Sequence, residues 1–73
     1  MLKKIPIKTE YIKLGQLLKY ADVIQSGGEE KSFISTHKIF VNNIPENRRG
    51  KKIVPGDVVE INGDIIQVTS YED

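Results

Sequence analysis

Two stretches of this chain carry residue types that hold phosphate. Arg48, Arg49, Lys51 and Lys52 set four cations within five positions. Cations crowded in this way repel one another unless a polyanion or interleaved surface acids offset them. Upstream, Ser26-Gly27-Gly28-Glu29 reads as a helix start, because a serine followed three residues later by a glutamate forms a capping box. Gly27 and Gly28 carry no side chain, so an anion can approach the exposed amides at the positive end of the helix dipole. Lys31 and Lys38 extend the basic character past that helix start. Both stretches also admit plainer readings, an ordinary helix cap and a solvated loop.

Catalytic chemistry finds no such support. His37 is the sole histidine and cysteine is absent, so a nucleophilic triad has at most one candidate base and no thiolate. No second ligand stands at metal spacing from His37, whose position suggests a turn or cap, or alternatively an RNA contact. Glu29 and Glu30 are adjacent and diverge on a helix, which makes a poor acid and base pair. The glycine pair is not a nucleotide fingerprint, since neither G-x-G-x-x-G after a strand nor G-K-[ST] is present. No enzyme activity, cofactor, metal or small-molecule substrate is therefore expected. Tyr11, Tyr20, Phe33, Phe40 and Tyr71 show no clustered pair in the sequence, so recognition by shape and phosphate is expected over reading of splayed bases.

The elements that would position these residues follow from periodicity. Leu14, Leu17, Leu18 and Ala21 recur at i, i+3, i+4 and i+7, one apolar stripe of a first helix, with Lys13 and Gln16 off it. The second helix, from Ser26 to near Thr36, should turn Glu30, Phe33 and Ile34 toward the core, with Val23 and Ile24 covering the space between the helices. Lys4-Ile5-Pro6-Ile7-Lys8 alternates as a strand that Pro6 confines to an edge, and Tyr11-Ile12 is expected to extend the same sheet. Ile39-Phe40-Val41 reads as a strand that resumes at Ile44-Pro45 beyond a tight turn, before a polar, basic loop from Glu46 to Lys52. Pro55-Gly56-Asp57 signals a turn. Val58-Val59-Glu60-Ile61 and Ile65-Ile66-Gln67-Val68 form a hairpin around Asn62-Gly63-Asp64. Ser70 to Asp73 is expected to fray. The fold class is α+β, two helices packed on a small, mostly antiparallel sheet.

Seventy-three residues make one small domain, near the size at which a single core holds unaided. Such a core supplies only about 3–5 kcal/mol of net stability. The N-terminal residues lack the apolar run of a signal peptide, so a cytoplasmic location without a membrane is the expectation, as is a monomer. The formal net charge is only +1, but its distribution is uneven. Up to Lys52 there are eleven bases against five acids; from Ile53 onward there are five acids and no base. One face can therefore be basic and another acidic, unless the charges interleave.

Lys38-Ile39-Phe40-Val41-Asn42-Asn43, set after a serine-started helix and before Val54-Pro55-Gly56-Asp57-Val58-Val59-Glu60-Ile61, resembles the S-four type RNA-binding domain, or alpha-L motif. Lys13-Leu14-Gly15-Gln16-Leu17-Leu18 fits the start of that domain's first helix. Ser26-Gly27-Gly28-Glu29 together with Arg48-Arg49-Gly50-Lys51-Lys52 is similar to its small stand-alone bacterial subfamily called YaaA. The resemblance covers roughly residues 10 to 62 of a single domain, 1–73. It implies RNA binding, with ribosomal RNA or a ribosome precursor as partner and a part in ribosome assembly. Position by position it implies Lys13, Ser26, Gly27, Lys31, Lys38 and Asn42 as contact residues, with Arg48, Arg49, Lys51 and Lys52 adding phosphate contacts. The chain departs from the pattern at Glu30, usually a small apolar residue, and at His37 and Asn43, usually glycines that supply positive φ. Asn and His tolerate positive φ best among the other residues. A protein-interaction adaptor using the acidic C-terminal strands or the helix pair is the competing reading, and duplex DNA a weaker variant of the first.

Overall fold

The computed structural model describes residues 2–71. Strand β1 (Leu2–Ile7) leads to a short strand β2 (Ile12–Lys13) and helix α1 (Leu14–Tyr20). A 3-10 turn (Gly27–Glu29) runs into helix α2 (Glu30–Thr36). Five strands follow, β3 (Ile39–Val41), β4 (Ile44–Pro45), β5 (Lys52–Ile53), β6 (Val58–Ile61) and β7 (Asp64–Ser70). The main sheet has five strands in the order β1-β7-β6-β3-β4, and β2 pairs with β5 in a separate two-stranded sheet. The α+β class with two helices on a mostly antiparallel sheet is the observed architecture. The exception within the sheet is β1, which runs parallel to β7 from Leu2 opposite Ile65 to Ile7 opposite Ser70.

The core lies between the inner face of the sheet and the helices. The α1 stripe is buried as its spacing requires: Leu14, Leu17 and Leu18 have no exposed surface, and Ala21 almost none. They meet Ile53, Val59 and Val68, equally enclosed, with Ile24 and Ile34 closing the edges and Val23 partly buried against them. Alternation does the same for β1, where Ile5 and Ile7 turn inward while Pro6 faces out on an edge strand that needs no donor from it. Helix α1 ends in a left-handed step at Asp22 (φ 61°), with the Val23 amide returning to the Leu18 carbonyl at 2.9 Å and the Asp22 amide to Lys19 at 3.0 Å.

The turn chemistry holds where it is local. Asn62 and Gly63 both take positive φ in the β6–β7 hairpin, and Gly56 takes φ 99° in a turn closed by the Asp57 amide on the Val54 carbonyl at 3.0 Å. Asn42 and Asn43, with φ 52° and 69°, make the two-residue turn from β3 to β4.

Four expectations are corrected. Ile12 does not extend the main sheet. The chain bends after β1, with the Thr9 hydroxyl donating to the Tyr11 carbonyl at 2.7 Å, and Ile12 pairs instead with Ile53. His37 needs no positive φ; it is extended (φ −124°) and closes α2, with Nδ1 3.0 Å from the Phe33 carbonyl and its ring stacked 4.0 Å from that of Phe33. The second helix does not start as an α-helix, because two glycines of low helix propensity begin it as a tighter 3-10 turn. Ser70 does not fray, because the parallel partner β1 holds β7 to its end and the Tyr71 amide donates to the Ile7 carbonyl at 2.9 Å. The rest of the expected frayed end, residues 72 and 73, lies outside the described residues.

Candidate nucleic-acid interface

The basic loop is anchored by its backbone. Helix α1 begins without a side-chain cap, and its first amides are satisfied by loop carbonyls: Leu14 donates to Lys51 at 2.8 Å and Gly15 to Arg49 at 2.9 Å. A second turn within the loop is closed by the Lys51 amide on the Arg48 carbonyl at 3.1 Å. Residues 48–51 are thereby laid across the start of α1, and the β2–β5 ladder sets Lys13 directly opposite Lys52. Like charges in that register repel. The Lys52 ammonium lies over the Tyr11 ring, 4.8 Å from its centre, which offsets part of the repulsion.

A second group of cations gathers from three elements around one groove. It is bounded by α2 on one side and by β3, β4 and the following loop on the other, and Lys31, Lys38 and Arg49 all line it. His37 and Phe40 contribute to its wall. Thus Lys13, Lys31, Lys38, Arg49 and Lys52, spread over forty positions of sequence, are carried by β2, α2, the residue before β3, the basic loop and β5, with Arg49 joining the groove to the start of α1, while Lys51 lines a separate hollow with Asn42, Glu46 and Asp57.

The other contact residues implied by the sequence are placed differently. Arg48 is held by Glu46, with Nε donating to Oε2 at 2.9 Å and Nη2 to Oε1 at 3.1 Å, while the Arg48 amide also reaches Oε2 at 3.1 Å. This bidentate bond lowers the Glu46 carboxyl to about 2 and raises the guanidinium of Arg48. In the sequence Glu46 is one polar residue of the basic loop, and its spacing of two from Arg48 is the local signal of this pair. Asn42 gives both side-chain atoms to the fold: Nδ2 donates to Asp57 Oδ1 at 3.0 Å and Oδ1 accepts the Val58 amide at 2.9 Å. It ties the β3–β4 turn to the turn before β6.

At the start of α2 the capping-box arrangement is present. Glu29 Oε2 accepts the Gln25 amide at 2.6 Å and the Ser26 amide at 3.4 Å. The carboxylate thus takes two amides that precede the first turn, those of Gln25 and Ser26. Glu30 adds a second carboxylate beside this corner. Gly15 on α1 is buried, and a Cβ built there would overlap the Glu30 carboxyl group, while a Cβ on Gly27 would lie 3.5 Å from Glu30 Oε2. The helices thus pack closely despite the glutamate, because Gly15 leaves room for its side chain.

Among the described residues no group of three or more His, Cys, Asp or Glu is placed to hold a metal ion, and no helix is long and apolar enough to cross a membrane. What the site offers chemically is a set of cations around the start of α1, where Lys13 is the N-cap and the Glu30 carboxyl group lies over Gly15.

The chain is 60% identical over 63 residues to a probable ribosome maturation protein, RlbA, of Bacillus subtilis (strain 168), an alignment covering 86% of this chain and 89% of that relative. The family model described as the S4 domain matches residues 5–69, from within β1 almost to the end of β7. With nearly the whole described fold inside that match, the chain belongs to the S4 domain family.

Proposed function

We propose that this protein binds structured RNA, with ribosomal RNA or a ribosome precursor as its partner, and serves in ribosome maturation. The observation that carries the reading is the convergence of Lys13 and Lys52 across β2–β5, Arg49 and Lys51 on the loop capping α1, and Lys31 and Lys38 around the adjoining groove. Membership of the S4 domain family and the similarity to the probable ribosome maturation protein of Bacillus subtilis support it. The protein acts as a monomer and carries out no catalytic step. It recognises the phosphate geometry of a folded RNA rather than a sequence. Arg48, already neutralised by Glu46, contributes less than its neighbours, and Asn42 acts by holding the turn.

If about four to six phosphates are neutralised, the logarithm of the association constant should fall against that of salt with a slope near −0.7 to −0.9 per phosphate. Reversing Arg49 and Lys52 to glutamate should weaken binding to every RNA tested while leaving the order of preference intact. Unchanged affinity in that double variant would remove the loop from the interface.

The adaptor reading has its own observation. Leu2 and Ile65, neighbours in the β1–β7 register, are both exposed on the sheet face away from the helices. Salt-insensitive capture of a protein from nuclease-treated lysate, abolished by Ile65→Lys, would favour it.

A further inference from the structure

A second groove runs between the outer side of α1 and the segment joining β1 to β2. It is lined by Lys8, Tyr11, Lys13, Gln16, Lys19 and Tyr20. Gln16 and Tyr20 stand at i and i+4 on the exposed side of α1, and Lys13 precedes the helix at the end of β2. The two tyrosines, nine positions apart in sequence, are thereby brought to one groove by the bend after β1. Tyr20 is left open, 66% exposed, while Tyr11 is 38% exposed and carries the Lys52 ammonium over its ring. Lys8, Lys13 and Lys19, from three segments, line the groove beside one carboxylate, Glu10, although the Lys19 ammonium rests toward Gly27 and Glu30. Lys8 and Lys52 each already stand over an aromatic face, at 4.6 Å from the centre of Tyr71 and 4.8 Å from that of Tyr11. This combination of exposed aromatic rings and flanking ammonium groups matches a base and its phosphates. Lys13 belongs both to this groove and to the cation pair with Lys52, so the groove continues the surface assigned above.

We infer that this groove takes one unpaired nucleotide of the bound RNA, its base against Tyr20 or Tyr11 and its flanking phosphates on Lys8, Lys13 and Lys19. The inference rests on the RNA-binding reading and adds to it a preference: an RNA with a bulged or looped-out nucleotide beside its helix binds better than a fully paired one.

The test uses two RNA hairpins of equal length, one fully paired and one with a single-nucleotide bulge, titrated with the whole protein, Tyr20→Phe, Tyr20→Leu and Tyr11→Leu. The wild type should bind the bulged hairpin about tenfold more tightly, within the range of one base stacked on an aromatic ring. Tyr20→Leu should abolish that preference without changing affinity for the paired hairpin, Tyr20→Phe should keep it, and Tyr11→Leu should abolish it while also altering paired affinity, because it removes the ring beneath Lys52. Because Tyr20 is largely exposed, circular dichroism should be unchanged in its variants. Equal wild-type affinity for both hairpins, or a preference that survives both leucine substitutions, would overturn the inference and leave the phosphate interface standing. Failure of the wild type to bind either hairpin at low salt would instead overturn the RNA-binding reading, and this inference with it.

Discussion

The packing of Glu30 against Gly15 can be tested by a double-mutant cycle. Gly15→Ala in the first turn of α1 should gain up to about 0.8–1.0 kcal/mol from helix propensity alone. The new Cβ, however, would overlap the Glu30 carboxyl group and come within 3.1 Å of its Cγ. The glutamate must turn out of its rotamer, at a cost of about 0.5–1.5 kcal/mol. The two effects nearly cancel, so Gly15→Ala alone should leave stability unchanged or slightly lower. In a Glu30→Ala background the atoms that the new Cβ meets first are gone, and the same substitution should stabilise the domain by up to about 1 kcal/mol. The coupling between the sites is then about 1 kcal/mol, twice the error of additivity for independent positions. Urea unfolding followed by circular dichroism measures all four corners. The variants' slopes should be alike, so that midpoints report stability. If Gly15→Ala gains the same amount in both backgrounds, Glu30 does not occupy the space above Gly15, and this account of how the helices pack is wrong.

Further expectations follow from other contacts. Leu17→Ala removes a fully enclosed side chain, at about 2–5 kcal/mol, against about 3–5 kcal/mol available to so small a domain; its far-UV spectrum at 37 °C should be largely unfolded. Asn42→Ala loses the bonds to Asp57 and Val58 and places alanine at φ 52°, which together should cost about 1–3 kcal/mol; RNA affinity of the folded variant should stay near wild type, and a large loss would make Asn42 a direct contact. The Glu46 carboxyl is depressed by its hydrogen bond from Arg48, so its contribution is complete above the ordinary value of 4.5 and is lost as pH falls through about 2. A carbon-detected NMR titration should find its midpoint near 2, and a midpoint near 4.5 would show that the pair does not persist. Glu46→Gln releases Arg48, and the salt dependence of RNA binding should steepen by up to about 0.7–0.9 in slope as that guanidinium gains a phosphate.

What the sequence disclosed and what it withheld divide by range. The α1 stripe of Leu14, Leu17, Leu18 and Ala21 is local periodicity, and burial follows it residue for residue. Asn62-Gly63 and Pro55-Gly56 are turn chemistry acting within four residues, and both take the expected φ. The pairing of β1 with β7 joins opposite ends of the described chain. No local pattern encodes a partner at that distance, and the same lack hid the true length of β7. The β2–β5 ladder has two residues per strand, too short for alternation to register. His37 illustrates a different limit: its ring takes the Phe33 carbonyl and stacks on Phe33, so the helix ends on a side chain where a glycine would have ended it by backbone conformation. The basic residues were legible as candidates from their crowding and from the family pattern. Which of them stand unpaired was not, because the Glu46 clamp on Arg48 and the double use of Asn42 are matters of orientation. The shared groove of Tyr11 and Tyr20 arises only from the bend between β1 and β2.

The central claim is that the cations gathered around the start of α1 form an RNA-binding surface. An NMR titration of labelled protein with a structured ribosomal RNA fragment and with duplex DNA of equal length, each at low and physiological salt, tests it most directly. The account predicts shifts concentrated at Lys13, Lys31, Lys38 and the Arg49 to Lys52 loop, stronger with RNA and weakened by salt. No shifts at low salt, or equal and diffuse shifts with both ligands, would contradict it.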